Sequence, residues 1–356
     1  MSQKTTMSYF SGSFVFTIVS LIIGFLYGMY TTNNLATSLS MVTLIGILGV
    51  LEVSVSFDNA IVNAKILNTM DAFWQHVFIT WGMVIAVFGM RFIFPVIIVS
   101  VVGDMSMLDA ISTAFSDPEK YAHILHESKV QVAGFGGSFL LLVAFGFFFN
   151  SEKDVHWVSI IEKNLVKIGS LRSSEILFTL LIVLSFTYYL DPVNQYKFLI
   201  SSIFGIMTHE IVKAFGDYMQ NTQEGMIDGK GATVAVVKSG LATFLYLEVL
   251  DASFSFDGVI ASFAITRDIV IIALGLGIGA MFVRSLTILF VKKNTLSSFT
   301  YLEHGAFWSI LVLAFIMFIT TKHEIPEVVT GGIAAVLILA SLFWSIIKKT
   351  SEEVFE

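Results

Sequence analysis

The chain has 356 residues, of which 56% are hydrophobic and only 13% charged, with a net charge of −7 and a mean hydropathy of +0.83. So few charges cannot coat a water-facing surface, which excludes an ordinary soluble domain and points to a polytopic membrane protein. The absence of cysteine excludes disulfides, thiolate metal sites and thiol catalysis.

Ten segments are apolar and long enough to be expected as membrane-crossing helices. The first, 13–30, follows a stretch with one lysine and no small-residue cleavage pattern, so it reads as a span and not as a removed signal. The second, 40–66, carries LEVSVSFDNAI (Leu51 to Ile61), a polar cluster inside an oily run. The third, 73–102, holds Gly82 and Arg91. A loop rich in acids and histidines, 103–129, leads to the fourth, 130–150. A basic loop, Ser151 to Ser170, precedes the fifth, 173–190. The sixth, 197–216, ends among His209, Glu210 and Lys213, and a polar loop follows it. The seventh, 233–264, carries LDASFSFDGVI (Leu250 to Ile260), and the eighth, 268–291, holds Gly275 and Arg284. The last two are 302–321 and 326–347. Segments of period-2 alternation are missing, which argues against a β-barrel.

With ten crossings, thirteen lysines and arginines fall on the side shared by the termini, five on the other, and Arg91 and Arg284 inside the membrane. The excess marks the cytoplasmic side. Both termini are therefore expected in the cytoplasm, with the chain in a bacterial-type inner membrane.

The two polar stretches match at the same spacing: Glu52 with Asp251, Ser54 with Ser253, Ser56 with Ser255, Asp58 with Asp257 and Asn59 with Gly258. The following spans share the nine-residue separation of Gly82 from Arg91 and of Gly275 from Arg284. The chain thus divides into a first repeat (13–150), a basic cytoplasmic loop with a linking helix (151–196), and a second repeat with an extra C-terminal helix (197–347). The motif lies on the second and the seventh spans, an odd offset, so the two copies must run in opposite directions. The expected fold is all-α, built from two inverted-topology repeats, which place a site near the midplane where the halves meet.

At ~100° per residue, Glu52, Ser56, Asn59 and Asn63 share one helical face, as do Asp251, Ser255, Gly258 and Ser262, with Glu248 one turn earlier. Ser54, Asp58, Ser253 and Asp257 point the other way. Either both sides of each helix are buried in protein, or each helix is unwound near Asn59 and Gly258; unwinding is the expectation. A carboxylate at membrane depth costs at least ~2.5 kcal/mol, so Glu52, Asp58, Glu248, Asp251 and Asp257 need partners. Two arginines cannot neutralise five acids. Arg91 and Arg284 are each expected to hold an aspartate, Asp58 and Asp257 being the candidates that leave the main face, while the remaining acids meet a cation. Carboxylate, hydroxyl and amide oxygens from Glu52, Ser56, Asp58, Asn59, Glu248, Asp251, Ser255 and Asp257 suit a hard divalent ion such as manganese, calcium or magnesium. An oxyanion would be repelled.

Other motifs have plainer readings. His209-Glu210 begins like a zinc-protease motif, but Lys213 stands where the second histidine belongs. His123, His126 and Glu127 fit a solvated loop, and Gly275, Gly277 and Gly279 fit close helix packing. No nucleophile or metal pair suggests an enzyme, and no feature suggests a nucleic-acid partner or a tightly bound cofactor. The expected partners are the bilayer and the transported ion. A scaffold that recruits cytoplasmic proteins through 151–170 is the competing reading from another class.

The E-x-S-x-S-F-D-N-A segment at Glu52 to Ala60, its echo at Asp251 to Val259 and the arginine in each following span resemble the TerC family of integral membrane proteins. The chain is similar to a branch of that superfamily described only as a domain of unknown function. The resemblance extends over most of the chain, with the motif and arginine spans its specific part. It implies metal-ion export, with manganese efflux in bacterial relatives and an association with tellurium resistance, and it makes the motif acids the site. Manganese becomes the first candidate substrate, and cytoplasmic resistance proteins become candidate partners. The wider group also holds amino-acid exporters, where acids would bind an amine and arginines a carboxylate. Asn59 becomes Gly258 in the second copy, so the two copies are not expected to supply identical ligands.

Overall fold

A computed structural model of the chain describes residues 6–82, 84–171, 173–224, 231–293 and 299–355, with the side chains of 216, 217, 219–224, 231–239, 256, 257, 261, 264, 327, 328 and 349–355 outside the description. A 3-10 turn, Thr6–Tyr9, leads into α1 (Ser11–Thr32), α2 (Leu35–Val55) and α3 (Phe57–Leu67). Next come α4 (Ala72–Val77), two π-helical stretches (Phe78–Gly82 and Ile85–Ile93) and α5 (Phe94–Val102). Two short helices, α6 (Met107–Ser116) and α7 (Pro118–Glu127), precede α8 (Lys129–Phe148) and α9 (Ser159–Gly169). The chain continues through α10 (Ser174–Tyr189), α11 (Pro192–Glu224), α12 (Gly231–Ile265) and α13 (Ile269–Lys293). It ends with α14 (Leu302–Thr320) and α15 (Glu327–Phe355).

All ten expected segments fall on helix, and no strand occurs among the described residues. Among the described residues, eight helices are long and apolar enough to cross a membrane by themselves. The other two expected crossings are α10, only 16 residues long, and α12, which carries Glu248, Asp251 and Asp257. A closed helical ladder is what hydrocarbon demands, since every backbone polar group must find its partner within the segment.

Contacts between the connections sort them into two ends. At one, here the far end, Arg267 pairs with Glu119, His126 lies 3.6 Å from Glu324, and Tyr189 meets His323 at 2.9 Å. At the near end, Lys65 pairs with Glu303, and Tyr301 N donates to Ser345 Oγ at 2.8 Å. The connections 103–128, 190–191, 265–268 and 321–326 thus lie at the far end, and 68–71, 150–171 and 299–301 at the near end.

The interior is formed by α8, α13 and α14, each largely buried, while α1 and α15 turn isoleucines, leucines and valines outward to the bilayer. Small residues let the interior helices close. A Cβ added at Gly275 on α13 would lie 2.5 Å from Leu48 Cβ and 3.1 Å from the Ile45 carbonyl on α2. One at Gly279 would lie 2.3 Å from Glu52 Cβ. The glycines of 275–279 are therefore packing residues, as small-residue interfaces in membranes are.

The loop from Ser151 is docked onto the bundle, not free. Glu162 on α9 is fully buried and accepts from Lys153 Nζ at 2.9 Å, His304 Nδ1 at 2.9 Å, Trp308 Nε1 at 3.1 Å and Val158 N at 3.1 Å. Burial alone would raise this carboxyl, but the hydrogen bonds and charges of His304 and Lys153 outweigh it and bring it from 4.5 down to about 2.

Two outcomes test this packing. Gly275→Val should lower the stability of the purified protein by about 1–3 kcal/mol, whereas Gly46→Ala, with open space around its Cβ position, should not; thermal unfolding in detergent reads both. A carboxyl with a depressed folded value stabilises above its unfolded value and loses that contribution as the pH falls. The stability gap between wild type and Glu162→Gln should thus be full above pH 4.5 and shrink as the pH falls towards 2. At neutral pH that gap should be on the order of 3 kcal/mol.

Candidate functional site

The first motif copy is broken where its polar residues cluster. The α2 helix stops at Val55, Ser56 sits at φ −98° and ψ 18°, and α3 restarts at Phe57. The second copy is not broken, for α12 runs straight through Asp251 to Gly258. The expected unwinding therefore occurs in one half only. Gly258 supplies the reason: a Cβ there would lie 2.8 Å from Glu52 Oε2, so the bare backbone of α12 already meets the first motif without bending.

Arg91 joins the two halves. Its Nη2 donates to Glu52 Oε1 at 2.6 Å and its Nη1 lies 3.4 Å from Asp251 Oδ2. Nη1 also donates to the Ala86 carbonyl at 2.7 Å, five residues back along the π-helical stretch. Ser56 Oγ adds a hydrogen bond to Glu52 Oε1 at 3.2 Å. Arg284 donates instead to the Phe78 carbonyl at 2.8 Å, with its guanidinium 5.8 Å from the Phe78 ring.

This corrects the expected pairing. Arg91 holds Glu52 and Asp251, not Asp58, and Arg284 holds a backbone carbonyl and no carboxylate among the described residues. Asp58 does leave the main face: it is buried beside α14, accepting from Ser309 Oγ at 2.7 Å and from Asn59 N at 3.0 Å. The Asp257 side chain lies outside the described residues. Ser54 is exposed, donates to the Val50 carbonyl and lines a surface groove beside Gly331 and Gly332 of α15, away from the main face. Ser255 is buried with its hydroxyl unpaired, away from the others.

The remaining predicted residues converge. Ser56, Asn59, Glu248 and Asp251 line a cavity of about 30 Å³, together with Asn63, Gly82, Thr287 and both arginines. Two oxygens here are buried without a hydrogen-bond partner, Glu248 Oε1 and Asn63 Oδ1. A Cβ at Gly82 would lie 3.0 Å from Glu248 Oε1, so this glycine gives the carboxylate its room. Glu52, Glu248 and Asp251 bring three carboxyl groups against two guanidinium groups. Among the described residues no three His, Asp or Glu side chains form a ready chelate, because Arg91 occupies the place between Glu52 and Asp251.

Asn63 was on the polar face in the sequence but outside the expected ligand set, and its helical spacing was the signal. Thr287, one turn after Arg284, could have been found in the same way. Ser309 comes from α14, and nothing in its neighbourhood of the chain marks it.

Residues 57–352 match a family described as Protein of unknown function (DUF475). The chain belongs to the DUF475 family. In this DUF475 protein the match takes in Asp58, Asn59, Arg91, Glu248, Asp251 and Arg284, while Glu52 and Ser56 lie just before it. Neither the curated proteins nor the solved structures compared with the chain give a match.

Arg91→Met should leave Glu52, 2% exposed, as an uncompensated buried charge and lower stability by about 3–5 kcal/mol. Adding Glu52→Gln should recover most of that loss. Denaturation midpoints of the two variants measure it.

Proposed function

We propose that this DUF475 protein is a membrane transporter that exports a divalent cation, with manganese the first candidate, through the cavity between the two motif copies. The observation that carries the reading is that cavity of about 30 Å³, walled by carboxylate, amide and hydroxyl oxygens with Glu248 Oε1 and Asn63 Oδ1 unpaired. A single water needs ~10–15 Å³ by this kind of measure, so the space suits one ion and is too small for an amino acid. Oxygen donors without thiolate or clustered imidazole favour manganese, calcium or magnesium over zinc and copper. Kinship with TerC-like proteins, suggested by the motif, ranks manganese first.

An inverted repeat fits the packing: α2 with the first motif packs on α13, the arginine helix of the second half, and α12 packs on the Arg91 stretch of the first. In this reading each motif meets the partner half's arginine helix near the midplane, the membrane is a bacterial-type inner membrane, and both termini are cytoplasmic. Arg91 then neutralises the empty site, and an arriving cation replaces it as the partner of Glu52 or Asp251. Exporting a doubly charged ion against an inside-negative potential costs about 4.6 kcal/mol per 100 mV. Exchange for protons offsets that cost, and Glu248, with its free oxygen, is the carrier this reading assigns.

Purified protein in proteoliposomes should move manganese, and more slowly calcium or magnesium, along a gradient. Glu248→Gln should reduce the flux at least tenfold, the loss expected when a charge-assisted contact of ~1.5–3 kcal/mol is removed, while Gly46→Ala should leave it unchanged. No flux of any of these ions by the wild type, with or without a pH gradient, would overturn the reading.

A further inference from the structure

The site connects to one end of the bundle. The 30 Å³ cavity shares Ser56 and Asn59 with a second cavity of about 90 Å³, and that one shares Lys129, Ile260 and Ile325 with a vestibule of about 870 Å³ at the far end. The link starts where α2 breaks at Ser56. Towards the near end, by contrast, Phe78, Trp74 and Phe244 are buried in the aromatic core, with Trp74 and Phe244 rings 5.6 Å apart.

The middle cavity is apolar over most of its wall, through Val55, Phe254, Leu313 and Ile316, with Thr320 and Thr330 as hydroxyls. Among the described residues its one charged lining residue is Lys129. Lys129 is the first residue of α8, where the positive end of the helix dipole disfavours an ammonium. It is half-buried and makes no ion pair among the described residues. Glu119 and Glu324 share the vestibule wall with Lys129, but no ion pair fixes the ammonium among the described residues, which leaves its charge at the throat between the two cavities.

We propose that this chain of cavities is the far-end passage of the transport site and that Lys129 sets its charge selectivity, slowing cations that cross it in either direction. The inference rests on the transport reading for its purpose. Its geometry stands apart from that reading and is tested apart from it.

The chain has no cysteine of its own, so single cysteines report accessibility without background. Thr320→Cys and Thr330→Cys are placed in the passage, with exposed Ser116→Cys and Ser170→Cys marking the far and near ends. Cationic and anionic membrane-impermeant methanethiosulfonate reagents are applied to intact cells and to inverted vesicles. The passage cysteines should label from the same side as Ser116→Cys and not from the side of Ser170→Cys. Lys129→Met should raise the cationic-to-anionic labelling ratio at Thr330→Cys about tenfold, as loss of a nearby unit charge in a poorly screened channel implies. Lys129→Arg should keep the wild-type ratio, which separates charge from misfolding. Labelling from the side of Ser170→Cys, or a ratio unmoved by Lys129→Met, overturns the proposal. If liposomes show no metal flux while far-end labelling and the ratio change persist, the transport reading fails and the passage stands.

Discussion

Arg91 is the constraint around which the site is organised. Its guanidinium reaches Glu52 from one motif and Asp251 from the other, so a single cation holds two separate stretches of chain at one depth. Each acid alone would be costly in hydrocarbon, and the arginine alone equally so. Together they can be buried only if the geometry is held, and the π-helical stretch helps to hold it by offering the Ala86 carbonyl to the same nitrogen. A buried ion pair of this kind is weak evidence of stability, because burying its members costs about what their attraction returns. It specifies register instead: α2, α12 and the Arg91 stretch have one relative placement that leaves no charge stranded.

The charge count gives the cavity its chemistry. Glu52 and Asp251 each meet Arg91, Arg284 is turned to the Phe78 carbonyl, and Glu248 keeps a buried oxygen unpaired among the described residues. A buried polar atom without a partner is rare in folded proteins and asks for an explanation. Asn63 Oδ1, which lines the same cavity, repeats the question. Asn63 Oδ1 accepts, and so does Glu248 when ionised, while Arg91 Nε in the same wall is an unpaired donor.

Much of the fold was legible from hydrophobic run length alone, because the bilayer permits so few spanning structures. The matched motifs also pointed to the residues that line the cavity, and the helical-face argument placed Asp58 and Ser54 off it. The partners of Arg91 differ from the expectation for a definable reason: the acids of the main face were reserved for a cation, whereas the guanidinium itself sits between two of them, Glu52 and Asp251. Ser309 beside Asp58, and His304 and Trp308 around Glu162, were illegible because each partner is more than a hundred residues away and no local spacing encodes it.

The two copies differ, and the difference shapes the site. In the first, Asn59 follows a break that turns side chains and cavity wall towards the middle of the bundle. In the second, α12 continues without a break, and Gly258 surrenders its side-chain space to Glu52. A perfectly symmetric pair would set two asparagines and two breaks against each other at the same depth, and the Glu52 carboxylate would lose the bare backbone it now packs on. Asymmetry at this one position therefore lets one motif approach while the other bends away, and the bend is where the neighbouring cavity begins.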